Sequence, residues 1–197
     1  MNKRQWLGVL SLSVLLGLSG CGKDKPAFKG VDITGADYAQ GWELTDHNGQ
    51  VRTLKDFAGK AVVVFFGYTQ CPDVCPTALQ EMVEAKQLLG ADADKLQGVF
   101  ITVDPERDTP ELLKAYMANF GPDFVALHPT LDQLPKVTKD FKIYYKKVEG
   151  KTPTSYTMDH SAGSFTFDPQ GRVRLYNRHG SGAAALADDV RMLLKGQ

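Results

Sequence analysis

Apolar positions along this chain change period several times, and each change marks an element. Trp42-Glu43-Leu44-Thr45 and Val51-Arg52-Thr53-Leu54 alternate apolar with polar around Asp46-His47-Asn48-Gly49, which predicts a hairpin with His47 as a solvated turn residue. Ala61-Val62-Val63-Val64-Phe65-Phe66 does not alternate. A continuous β-branched and aromatic run of that length suits a central strand buried on both faces. Beyond it, Pro76 supplies a preset φ for a first helical turn, and Leu79, Met82, Val83, Leu88 and Leu89 fall at helical spacing until Gly90. Val99 to Val103 reads as a second buried strand, and Thr109-Pro110-Glu111 caps and opens a helix running to about Asn119.

The second half continues the alternation of strands and helices. Phe124 to Leu127 is a short strand, Leu131 to about Asp140 a helix interrupted near its start by Pro135, and Phe141 to Lys147 an extended segment. Ser164-Phe165-Thr166-Phe167 and Val173-Arg174-Leu175-Tyr176 flank Asp168-Pro169-Gln170-Gly171, a second hairpin with strong turn chemistry. Ala183 to Lys195 closes the chain as an amphipathic helix. This order predicts an α/β fold: a central mixed β-sheet flanked by helices, with an N-terminal hairpin and an inserted β-hairpin. A thioredoxin-like arrangement fits it.

Composition narrows the picture without changing it. A chain of 197 residues that is 43% hydrophobic supports one well-packed domain. Balanced charge, 23 basic against 23 acidic residues, gives no footprint for nucleic acid. The N-terminus differs from the rest. Lys3 and Arg4 precede an apolar run from Trp6 to Leu18 that is short for a membrane span, and Leu18-Ser19-Gly20-Cys21 resembles the lipobox of bacterial lipoproteins. Three divisions follow: residues 1–20 as a lipoprotein signal peptide, 21–40 as a polar tether carrying lipid on Cys21, and 41–197 as the folded domain. The expected location is a membrane-anchored lipoprotein facing the periplasm or the cell exterior.

With Cys21 assigned to lipid, Cys71 and Cys75 remain as an isolated thiol pair in an oxidising compartment. Between a buried strand and a helix, both sulfurs lie near the helix's positive end, where thiolates are favoured. Thiolates exchange disulfides or bind soft metals, and the dipole argument does not choose. Spacing favours the second, because Cys-x-x-x-Cys is wider than the usual redox Cys-x-x-Cys and opens the pair toward one ion. A third ligand would discriminate. Of four histidines, His160 stands in Tyr156-Thr157-Met158-Asp159-His160-Ser161-Ala162, a loop expected beside the cysteine helix; His128 and His179 read as surface or packing residues without partners.

Three ordered motifs, Cys71-Pro72-Asp73-Val74-Cys75-Pro76, Asp104-Pro105-Glu106-Arg107-Asp108-Thr109 and Asp159-His160-Ser161, resemble the Sco/SenC family of copper-binding assembly proteins over about residues 41–195. The resemblance implies a thioredoxin-fold protein that binds one copper, Cu(I) or Cu(II), through Cys71, Cys75 and His160. It also implies a partner, the copper-bearing subunit of cytochrome c oxidase or another extracytoplasmic copper protein, which the chain would load with metal, reduce, or both. Asp104, Arg107 and Asp159 are candidates to orient the ligands without touching the ion, whereas exposed Asp73 receives no primary role. Met158 departs from the aliphatic residue of many relatives; in an extended segment it shares a face with His160, and a core methionine is the favoured reading. The leading function is a metallochaperone that needs no turnover. The competing classes are a thiol-disulfide oxidoreductase and a redox sensor using the same cysteines.

Overall fold

The computed structural model describes residues 27–152 and 155–197, so the expected signal peptide, Cys21 and the first residues of the expected tether lie outside the described residues, whereas residues 27–40 belong to the folded domain, with Val31 and Asp32 paired to Tyr176 and Leu175 and Ala39 buried. Ten strands and four α-helices follow in chain order: β1 Val31–Asp32, β2 Glu43–Asp46, β3 Val51–Thr53, β4 Ala61–Gly67, α1 Val74–Leu89, β5 Leu96–Thr102, α2 Pro110–Met117, β6 Val125–His128, α3 Leu134–Asp140, β7 Tyr145–Val148, β8 Thr157–His160, β9 Ser164–Phe167, β10 Val173–Asn177 and α4 Ala183–Leu194. Eight strands form one mixed sheet in the order β1-β10-β9-β4-β5-β6-β2-β3, and β7 pairs with β8 in a separate two-stranded ladder. The fold is thioredoxin-like.

The two uninterrupted apolar runs became the central strands. Every residue of β4 and β5 is buried, and the two pair in parallel from Ala61 opposite Leu96 to Gly67 opposite Thr102. Parallel β5 and β6 extend this unit, so two right-handed crossovers in the same direction place α1 and α2 on one face. The Phe100 and Tyr116 rings, 5.9 Å apart, join β5 to α2 on that side. Neighbouring residues of a strand point oppositely, so Phe66 faces the other layer, where its ring lies 5.1 Å from that of Phe141 at the end of α3. Trp42, Phe141, Phe165 and Phe167 complete that apolar layer.

Both predicted hairpins form, each held by a buried carboxylate. Asp46 accepts from the Asn48 and Gln50 N–H groups and from Arg52 Nε; Asp168 repeats the arrangement with Gln170, Arg172 and Arg172 Nε. Neither hairpin stands apart. β2 pairs with β6, and β9 lies between β10 and β4 in the main sheet.

Several details differ from expectation. α3 begins at Leu134 rather than Leu131, with Pro135 inside its first turn, where a missing N–H breaks no helical bond. The extended segment begins at Tyr145, because Phe141 closes α3 and Lys142 takes a left-handed φ of 53°. His47 is half-buried and clips its turn to β6: Nδ1 accepts from the Ala126 N–H at 3.1 Å and its own N–H donates to the Ala126 carbonyl at 3.0 Å. His128 also has a partner, Nε2 donating to the Pro105 carbonyl at 3.2 Å.

Candidate metal centre

The cysteine segment leaves the top of β4 at Gly67 and turns through Tyr68 to Asp73 before α1 begins. Two anchors fix that turn. The Val103 N–H donates to the Gly67 carbonyl at 2.8 Å, tying the ends of the central strands together. Asp108, fully buried between β5 and α2, accepts from the Thr69 N–H at 3.1 Å, from Thr69 Oγ1 at 2.6 Å and from Thr102 Oγ1 at 2.6 Å. Burial raises its carboxyl above the ordinary range, and the bonds from Thr102 and Thr69 offset only part of that effect. Gly67 is needed for proximity rather than for an unusual φ, since a Cβ there would stand 2.8 Å from Cys75 Sγ and 2.8 Å from the Phe100 ring.

At the helix start the two sulfurs take unequal positions. Cys75 is fully buried in the first turn of α1, while Cys71 is half-buried and accepts the Cys75 N–H at 3.4 Å. The Cys71 sulfur therefore occupies the anion position at the helix N-terminus. A bond from the Cys75 thiol is the main influence on Cys71; with the Asp73 and Cys75 N–H groups it outweighs burial and lowers the Cys71 pKa to about 5. Donating that proton, together with burial, raises Cys75 well above its usual value. At neutral pH the pair carries one thiolate and one thiol.

His160 reaches the pair from the last position of β8, a strand end rather than the expected loop. Nδ1 donates to the Ser161 carbonyl at 2.9 Å, which fixes the tautomer and leaves the Nε2 lone pair pointing to Cys75 Sγ, 3.5 Å away. Ring edges of Phe65 and Tyr68, each 6.0 Å from the imidazole centroid, wall the histidine in. The ligating atoms of Cys71, Cys75 and His160 all lie within 4.8 Å of one another. Two sulfurs and one imidazole nitrogen converging from a partly buried wall form a donor set that fits copper.

The Asp104 to Thr109 segment serves this arrangement through Arg107. Its Nε donates to Asp104 Oδ2 at 2.5 Å, and Nη1 donates to Gln70 Oε1 at 3.1 Å and to the Tyr156 carbonyl at 2.8 Å. The guanidinium also lies 3.5 Å from the Tyr156 ring centroid, and the Tyr156 hydroxyl returns to Asp104 Oδ1 at 2.8 Å. One cation thus joins the cysteine turn to the residue that leads into β8. Asp104 and Arg107 lie within the bonded network between the cysteine turn and β8. Asp159 does not: it is exposed, on the opposite side of β8 from His160, because the alternation that puts Met158 and His160 on one face puts Asp159 on the other. Met158 is 9% exposed and belongs to the core cluster. Asp73 and His179 are exposed.

Asp108, Tyr156, Thr69 and Gln70 carry the site without having been singled out from the sequence. Asp108 offered a weak signal as a second acid in the loop that holds Asp104. Its burial could not be read there.

A cysteine pair at the start of α1, one in the turn before it and one in its first turn, a histidine from the facing hairpin and a thioredoxin-like sheet define a class of thiolate-imidazole proteins that bind a soft metal or exchange disulfides. A family model described as SCO1/SenC matches residues 31–195. An SCO2-like protein of Rickettsia felis is 36% identical over 169 residues, covering 84% of this chain and 82% of that protein. The human mitochondrial SCO2 homolog is 34% identical over 76% of this chain and 57% of its own length. Bradyrhizobium japonicum ScoI with copper bound aligns with a TM-score of 0.70 and 41% identity, over 77% of this chain and 96% of that chain. Yeast Sco1 with copper bound gives 0.71 and 28%, over 87% and 91%. The chain belongs to the SCO1/SenC family.

Proposed function

We propose that this protein is a membrane-anchored copper metallochaperone that holds one copper ion through Cys71, Cys75 and His160 and helps assemble the copper centre of cytochrome c oxidase. Convergence of those three donor atoms within 4.8 Å carries the reading, supported by the two copper-bound relatives. Coordination replaces the proton that Cys71 and Cys75 share, so loading releases protons and requires the reduced pair; a disulfide would leave no thiolate to bind. His160 is ready to coordinate through Nε2 because Nδ1 already donates to Ser161. Arg107 keeps the cysteine turn and the approach to β8 in register, and Asp108 keeps the turn itself from moving.

The apolar h-region and Leu18-Ser19-Gly20-Cys21 support lipid attachment at Cys21 and a place on the extracytoplasmic side of a membrane. Anaerobic titration of the reduced protein with Cu(I) tests the metal reading. One ion per chain and loss of tight binding in Cys71→Ala, Cys75→Ala and His160→Ala are expected, and full binding by His160→Ala contradicts the three-ligand site.

One observation favours a second reading, thiol-disulfide exchange with a copper protein. Cys71 is half-exposed and a thiolate at neutral pH while Cys75 is buried behind it, the division between an attacking and a resolving sulfur. Reductase turnover on a disulfide substrate without copper affinity would select that reading.

A further inference from the structure

The N-terminal hairpin joins the rest of the sheet along one side only. β2 and β3 occupy the last two positions of the strand order, and β2 meets β6 through two register pairs, Thr45 opposite His128 and Asp46 opposite Leu127. His47 completes the junction. Its backbone N–H donates to the Ala126 carbonyl at 3.0 Å and its Nδ1 accepts the Ala126 N–H at 3.1 Å, so one residue satisfies both backbone polar groups of buried Ala126. The second bond needs a lone pair on Nδ1, which fixes the neutral Nε2–H tautomer. A proton on Nδ1 turns that acceptor into a donor facing another donor. The bond is then lost, and the Ala126 N–H is left without it.

We propose that His47 is an acid-released latch: neutral, it clips the β2–β3 turn to β6, and protonated, it lets that corner of the sheet open. The surroundings support this. Burial is the largest influence on the ring and lowers its pKa below the ordinary histidine value. Asp46 of β2 and the Ala126 backbone of β6 favour the cation, whereas Lys114 of α2 and Arg52 of β3 oppose it. Burial also acts on Asp46, but the bonds from Arg52, Gln50 and Asn48 outweigh it and hold that carboxyl below its ordinary range, so Asp46 stays charged while His47 titrates. β6 carries one further imidazole, His128, whose Nε2 donates to the Pro105 carbonyl at 3.2 Å and which interacts with Glu111 of α2. Because folding lowers the His47 value, the latch is complete above the ordinary histidine range and is lost as pH falls through the lowered value. Trp42 and Leu44 are buried in the core, so the opening is local to the turn and to the facing stretch of β6, which becomes an open sheet edge.

The test is hydrogen exchange read by mass spectrometry on the full-length reduced protein, between about pH 8 and about pH 5, with each rate divided by that of the unfolded chain at the same pH. His47→Asn sets an amide oxygen close to the position of Nδ1 and takes up no proton in this range, so it keeps the acceptor without the switch. His47→Leu removes the acceptor altogether. In the wild type, amides of residues 43–53 and 124–128 should open about 2–10-fold more at the acid end, the effect of one lost hydrogen bond. His47→Asn should show little change with pH, and His47→Leu should already be open at the alkaline end. His128→Gln, which retains a donor for the Pro105 carbonyl, should respond as the wild type does. No acid response in the wild type, an equal response in His47→Asn, a closed corner in His47→Leu, or a response abolished by His128→Gln overturns the latch.

Discussion

Arg107 offers the most informative perturbation, because it touches neither sulfur nor imidazole yet joins both halves of the site. Arg107→Ala deletes the bonds to Asp104, Gln70 and the Tyr156 carbonyl and the cation over the Tyr156 ring. Hydrogen bonds to charged groups contribute about 1.5–3 kcal/mol each before entropy. Gln70 is exposed and its bond counts for little, but Asp104 is buried and its carboxylate would keep only the Tyr156 hydroxyl. Stranding a buried charge costs about 3–5 kcal/mol when its partner is removed outright. Residual exposure of the guanidinium reduces this to roughly 2–4 kcal/mol, or about 5–15 °C in Tm for a domain of this size. Groups that orient metal ligands typically contribute about 10–100-fold to affinity. The assay pairs thermal unfolding of the metal-free reduced protein with Cu(I) competition against a chelator. Arg107→Lys should recover much of the stability through Asp104 but little of the copper affinity, since an ammonium cannot keep the planar stack and the bond to Tyr156 together. Arg107→Ala that unfolds normally and binds and releases copper like wild type would refute the brace.

Further outcomes follow from the same geometry. Burial raises the Asp108 carboxyl, so its contribution to stability is complete below the ordinary carboxylate range and declines as pH rises through the raised value; Asp108→Asn should flatten that decline in denaturant titrations at a series of pH values. Gly67→Ala forces a methyl group against Cys75 Sγ and Phe100 and should cost about 1–3 kcal/mol, with a measurable loss of copper affinity, whereas Gly59→Ala at an open turn should leave affinity intact. In brief alkylation near pH 6, peptide mass spectrometry should find Cys71 modified well ahead of Cys75, as a thiolate with pKa about 5 beside a buried thiol requires.

Much of this site was legible in the sequence because its chemistry is local. An unbroken apolar run announced β4, Pro76 announced the start of the following helix, and ordered motifs picked His160 from four histidines. The same alternation that correctly paired Met158 with His160 would have excluded Asp159, had it been applied to all three residues. What the sequence could not supply were the non-local facts. Asp108 reads as one acid among several until the fold closes Thr69 and Thr102 around it. His47 and His128 look solvated until β6 brings the Ala126 peptide, and the loop after β5 brings the Pro105 carbonyl, within reach. Tyr156 has no motif value on its own; it matters because the β7-β8 ladder lays its carbonyl and ring on Arg107. Strand order depends on pairings between residues more than a hundred positions apart.

X-ray absorption at the copper edge of the reduced, copper-loaded protein, compared with His160→Ala, counts the ligands at Cys71, Cys75 and His160. Two sulfur scatterers and one nitrogen scatterer are expected in the wild type, with the nitrogen contribution lost and the affinity reduced in the variant. An unchanged spectrum and unchanged affinity in His160→Ala would contradict the three-ligand site.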